Sequence, residues 1–157
     1  MVHILYYEKA NKKWSFLENL KEWLEKILKD FKRERFDVNV VFCDNTLIRA
    51  LNKQYRGIDS PTDVLSFSMI ENIEDENEID TIDDNNPVLG DVIISLDRAR
   101  EQAEEFGVPE EEETVRLAIH GLLHLLGFDH EKSREEEKKM FKKQDAYIEG
   151  FLKRYSH

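Results

Sequence analysis

From Leu117 to Leu126 the chain is apolar almost without interruption, and the residues that break the run are His120, Gly121 and His124. A helix built from such a stretch has almost no face suited to water, so it has to be the buried centre of the fold. It is also far short of the roughly 18 apolar residues that a membrane span requires, and no other stretch comes closer. The rest of the chain must therefore coat this helix in water. With 157 residues, 40% hydrophobic and 36% charged, it has the material for one well-solvated core and little room for a second. The expectation is a single domain over residues 1–157. Met1–Tyr7 lacks the basic start and long apolar stretch of an export signal and reads as a strand. A single cysteine, Cys43, rules out a disulfide framework and suggests a cytoplasmic protein, with Cys43 a small buried residue at a strand end.

Periodicity orders the remaining elements. Leu17, Leu20, Leu24, Ile27, Leu28 and their neighbours recur at helical spacing, which predicts an amphipathic helix over Ser15–Arg33. Asp37–Cys43 alternates as a strand. Asp44 can cap the next helix, whose apolar positions Leu47, Ile48, Leu51 and Tyr55 share one face until Gly57 stops it. Val64–Met69 and Val88–Ser95 are strands, separated by a flexible acidic loop at about 71–86. Ser95 caps a helix that ends at Gly107, Pro109 opens the central helix at its first position, and a charged helix follows over Ser133–Arg154, with Met140, Ala146, Tyr147 and Phe151 as its apolar contacts. The order β-α-β-α-β-β-α-α-α predicts an α+β fold: a small mixed β-sheet packed with helices around a central His-bearing helix.

The histidines carry the chemistry. His120 and His124 are four apart, which stacks their rings one turn apart on one helix face. Gly127 can stop the helix in a left-handed conformation and turn the chain so that His130 reaches the same ion. Three neutral imidazoles and an exchangeable water form the open tetrahedral arrangement of catalytic zinc, one ion per chain. The plainer alternative is a set of core histidines with satisfied ring nitrogens. Three of the five histidines within eleven residues, on the most apolar helix, favour metal. His3 and His157 have no such spacing. The spacing H-x-x-x-H-x-x-G-x-x-H is that of a metzincin-like zinc site, but metzincin peptidases have Glu after the first His as general base, and Gly121 stands there instead. A glycine inside a helix costs about 0.5–1 kcal/mol relative to Ala, so it implies a gain: space beside the metal or a close backbone approach. A metallopeptidase is therefore disfavoured, and a cation that polarises phosphoryl oxygen remains.

The net charge of −11 argues at first against a nucleic-acid partner. Eight of those charges lie between Glu71 and Asp84 with no Lys or Arg among them, however, and Glu101, Glu104, Glu105 and Glu110–Glu113 add seven more. Glu110–Glu113 read as first-turn carboxylates that complement the helix dipole. What remains is basic, so global charge does not decide the partner. Arg56, at a helix C-terminus, reads from position alone as a dipole partner or the mate of Asp59 or Asp63, with phosphate binding as the sharper alternative; Arg49 and Lys53 read as solvated.

Three stretches together resemble the YbeY family of bacterial endoribonucleases and ribosomal RNA maturation factors. His120–His130 matches that family's H-G-x-L-H-L-x-G-[YF]-D-H signature, and Arg56-Gly57 with Pro61-Thr62-Asp63-Val64-Leu65-Ser66-Phe67, then Leu89-Gly90-Asp91-Val92, match its further motifs in order. Ser68 stands where the family commonly has Pro. The resemblance implies a hydrolase: a metal-dependent, single-strand-specific endoribonuclease acting in rRNA processing, including 16S rRNA 3′-end maturation, and in ribosome quality control. It implies zinc on His120, His124 and His130, phosphate binding by Arg56, and rRNA precursor and ribosome as partners. Asp63 and Asp129 are weighed as proton-transfer groups against turn or orienting roles. The other reading is a ribosome-associated assembly factor with a structural zinc, whose fourth ligand would be Cys43 or a carboxylate. Oligomeric state is left open.

Overall fold

The computed structural model describes residues 1–7, 15–70, 87–129 and 131–155. The expected acidic loop at 71–86, His130 and His157 lie outside these. The described elements follow the anticipated order: β1 (Val2–Tyr6), α1 (Leu17–Asp30), β2 (Asp37–Cys43), α2 (Asn45–Arg56), β3 (Val64–Ser68), β4 (Val88–Ser95), α3 (Leu96–Phe106), α4 (Glu110–Leu125) and α5 (Arg134–Tyr155). The sheet is mixed as expected, in the order β1-β2-β4-β3, with β1, β2 and β4 parallel and β3 antiparallel at one edge.

Strand alternation splits the core in two. Val38, Val40, Phe42, Val92 and Ile94 point to one face, where α1 and α4 bury Leu20, Leu24, Ile119 and Leu122 against them. Cys43, Leu65 and Ile93 point to the other, under Ile48 of α2. The central helix is α4, as its all-round apolar character requires. It approaches the sheet closely at Gly121, where a Cβ would overlap Val92 Cγ1 and stand 3.2 Å from Ser66 Oγ. Of the two gains considered for Gly121, the structure therefore supports close packing of helix on sheet. Helix α5 lies outside α4 and is held by Trp23, whose Nε1 donates to Tyr147 O at 3.0 Å.

Caps fall where side-chain chemistry puts them. Asp44 Oδ1 accepts from Leu47 N, and Ser95 Oγ from Arg98 N. Helix α1 begins two residues later and ends three earlier than its spacing suggests, because Phe16 offers no side-chain cap and the chain leaves the helix at Phe31. Pro109 is the residue before α4 rather than its first, and β3 ends at Ser68 rather than Met69. Two side chains differ from the reading of the last helix: Ala146 is exposed, while Gln144 is buried.

Candidate active site

His120 and His124 sit one turn apart on α4, with ring centroids separated by 4.7 Å. Both line a cleft of about 650 Å³ that opens between α4 and the β3 edge of the sheet, and Arg56 lines it too. Residues from α2 and α4 that the sequence picked out separately are thus brought to one cavity. Arg56 reaches it because α2 stops at Gly57 and because buried Asn52 donates through Nδ2 to Ser60 O at 2.9 Å, fixing the turn that leads into β3. Asp59 is not its mate: that carboxylate pairs with Arg49 at 2.9 Å, which lowers the acid's pKa and raises that of the guanidinium. Arg49 is solvated as expected and is also paired at the surface.

Gln144 is a participant that the sequence reading missed. Its Oε1 lies 2.6 Å from His120 Nδ1, and Gln144 is 2% exposed. An amide oxygen in that position accepts, which favours the tautomer with the hydrogen on Nδ1 and the lone pair a cation needs on Nε2. This is the supporting contact typical of metal-binding imidazole. Helix α4 ends just beyond His124 with Gly127 at φ 102°, a backbone conformation that side-chain-bearing residues rarely adopt; Phe128 N donates back to Leu123 O at 3.1 Å. The helix stop anticipated at Gly127 is present. His130, the third expected ligand, lies outside the described residues, and among those described no three His, Cys, Asp or Glu side chains converge on one point. Two imidazoles one turn apart, one of them held by Gln144, are donors of the kind a zinc ion takes.

Arg116 also lines the cleft, one turn before His120. Burial works against its charge, but bonds from Nε and Nη2 to Glu113 outweigh it and, with the nearby charges of Asp63 and Asp145, raise its pKa. Glu113 is itself 2% exposed. The four glutamates that open α4 are thus not all dipole partners; Glu113 is a buried counter-ion for a cleft arginine.

Neither aspartate weighed for proton transfer is uncommitted. Asp63 accepts from Val64 N at 2.8 Å and from Gln102 Nε2 at 3.2 Å, and Asp129 accepts from Glu131 N at 2.9 Å. Both line the cleft in turn-forming roles. Cys43 is wholly buried on the α2 side of the sheet and is not part of the cleft lining, which removes it as a fourth ligand. Burial, with the charges of Asp44 and Asp97, pushes its thiol up to about 12. Residue 121, where a peptidase of metzincin type has its base, is turned to Val92 and Ser66.

The family model for endoribonuclease YbeY matches residues 6–152. The chain belongs to the endoribonuclease YbeY family. Among curated relatives named Endoribonuclease YbeY, the protein of Oceanobacillus iheyensis is 42% identical over 157 residues, covering 96% of this chain and 97% of its own. That of Geobacillus thermodenitrificans is 53% identical over 119 residues, covering 75% and 74%. That of Persephonella marina is 42% identical over 142 residues, covering 87% and 84%. A solution structure from Thermotoga maritima, 36% identical, superposes with a TM-score of 0.67 over 99% of this chain and 91% of that one. The YbeY resemblance read from the motifs is borne out.

Proposed function

We propose that the cleft binds single-stranded RNA and cleaves a phosphodiester within it, using zinc held by His120, His124 and His130. Family membership bears out an endoribonuclease and hence a hydrolase; the metal, the strand preference and the individual roles are our reading. The observation that carries it is the convergence of Arg56 with the His120–His124 pair on one cleft, from helices far apart in sequence. A cation at those nitrogens supplies a Lewis acid at the phosphate. Arg56 binds the phosphate oxygens through its guanidinium and offsets the charge that builds on them in the transition state. Gln144 holds His120 in the tautomer that offers Nε2. Arg116, fixed by Glu113, adds a second cation to the wall. Ser66 donates to Gly121 O at 3.0 Å and so ties the β3 wall to the histidine helix.

Our reading further assigns residues 1–157 to one catalytic domain working on rRNA precursors, including the 3′ end of 16S rRNA, in contact with the ribosome and in the cytoplasm. Its support is the family. No helix of the described residues is long and apolar enough to cross a membrane. Zinc-loaded protein should cleave a single-stranded oligoribonucleotide; His120→Ala should abolish the activity and Arg56→Ala should lower kcat/KM roughly 100-fold. Cleavage that survives unchanged in both variants would mean the active site lies elsewhere.

A further inference from the structure

By spacing, Tyr55 shares the α2 face that carries Leu47, Ile48 and Leu51, so it should be covered by the sheet. It is instead 61% exposed. Its ring stands edge-on to Phe67, with centroids 5.0 Å apart and planes at 61°. Phe67 is half-buried in the α2-side cluster and supports the tyrosine from below. The result is an aromatic ring braced by a neighbour yet largely open to water.

Its location makes this more than a stray surface aromatic. Tyr55 directly precedes Arg56, which lines the cleft. Phe67 lies between Ser66 and Ser68, which line the same cleft, and β3 is the edge strand of the sheet. Phe67 thus belongs to the strand whose neighbouring residues border the cleft, and Arg56, next to Tyr55 in the chain, lines that cleft. The last turn of α2 brings Lys53 as well as Arg56, while Ile58 and Met69, close along the chain to the two rings, are exposed and apolar.

We propose that Tyr55, braced by Phe67, is a stacking subsite for the nucleobase next to the phosphate bound by Arg56. The proposal rests on the RNA reading of the cleft. An aromatic ring beside a backbone-binding cation is the combination by which single strands are held without regard to sequence. A base in a duplex already has both faces covered, whereas an unpaired base can lay one on Tyr55. Preference for single strands then follows from an identified side chain. The ring is presented without a large ordering cost, because Phe67 already limits its motion.

The test measures binding of a labelled single-stranded oligoribonucleotide with a hydrolysis-resistant backbone to the zinc-loaded full chain, so that binding is read without cleavage. Tyr55→Ala should weaken it about 5- to 100-fold, and Tyr55→Phe and Tyr55→Trp should keep it. An oligonucleotide with abasic positions should bind the parent as weakly as the intact one binds Tyr55→Ala, and should be indifferent to the substitution. Because Tyr55 is largely exposed, the variants should fold, which circular dichroism checks. Parent-like binding by Tyr55→Ala overturns the stacking subsite while the RNA reading stands. Equal loss on intact and abasic strands also overturns it. A parent that binds no RNA, with Arg56→Ala no different, overturns the RNA reading and the subsite together.

Discussion

An imidazole has two nitrogens, and His120 can serve a cation only through the one that Gln144 does not hold. Gln144→Leu removes the acceptor and leaves His120 free to change tautomer, so zinc affinity should fall about 10- to 100-fold in competition with a chelating dye. Gln144→Glu keeps an acceptor and should restore affinity. A variant Gln144→Leu that binds zinc like the parent would reduce the contact to packing. The histidine pair was legible in the sequence because one helix carries both rings at i, i+4. Gln144 was not, since it lies in the polar run Lys142-Lys143-Gln144-Asp145 and meets His120 only through the docking of α5 on α4. Tyr55 does sit on the α2 face that spacing assigns it, against Phe67, but spacing could not show its exposure, because where the sheet ends decides how far that face is covered.

The packing of α4 on the sheet is set by a missing side chain. Gly121→Ala places a methyl against Val92 and presses on the Ser66 hydroxyl. It should cost about 1–3 kcal/mol in urea denaturation despite the better helix propensity of Ala. Val92→Ala in the same chain should recover part of that loss. A stabilised Gly121→Ala would show that the helix can move off the sheet freely. Most elements were readable from alternation and 3.6-residue spacing, and their ends from Asp44, Ser95 and the glycines. Residues that answer to two rules at once were not. Glu113 is both a first-turn carboxylate and, four residues before Leu117, part of the buried face, and only its partner Arg116 reconciles the two.

For the molecule as a whole, the charge of −11 sets a limit on how RNA can be held. With Arg56 and Arg116 as the basic side chains that line the cleft among the described residues, few counterions are displaced. The plot of log affinity against log salt for a short single strand should therefore be shallow, with a slope no steeper than about −2. A much steeper slope would require a basic surface outside the cleft. Cys43 contributes to the fall in stability at alkaline pH. Its thiol titrates at 9.0 when unperturbed and at about 12 in the fold. The neutral thiol's contribution is complete below pH 9 and is lost as pH rises from there towards 12, where the unfolded chain is the readier to ionise. Cys43→Ala should show a flatter fall in stability across that window, whatever its stability at pH 7. The described architecture also has a consequence in time. Translation lays down α4 before α5, so a polypeptide arrested short of residue 144 contains both His120 and His124 but not the amide that orients the first of them. A prematurely terminated product of this kind carries the histidine motif without its support, and on our reading of the site it should cut RNA only once the helix pair is finished.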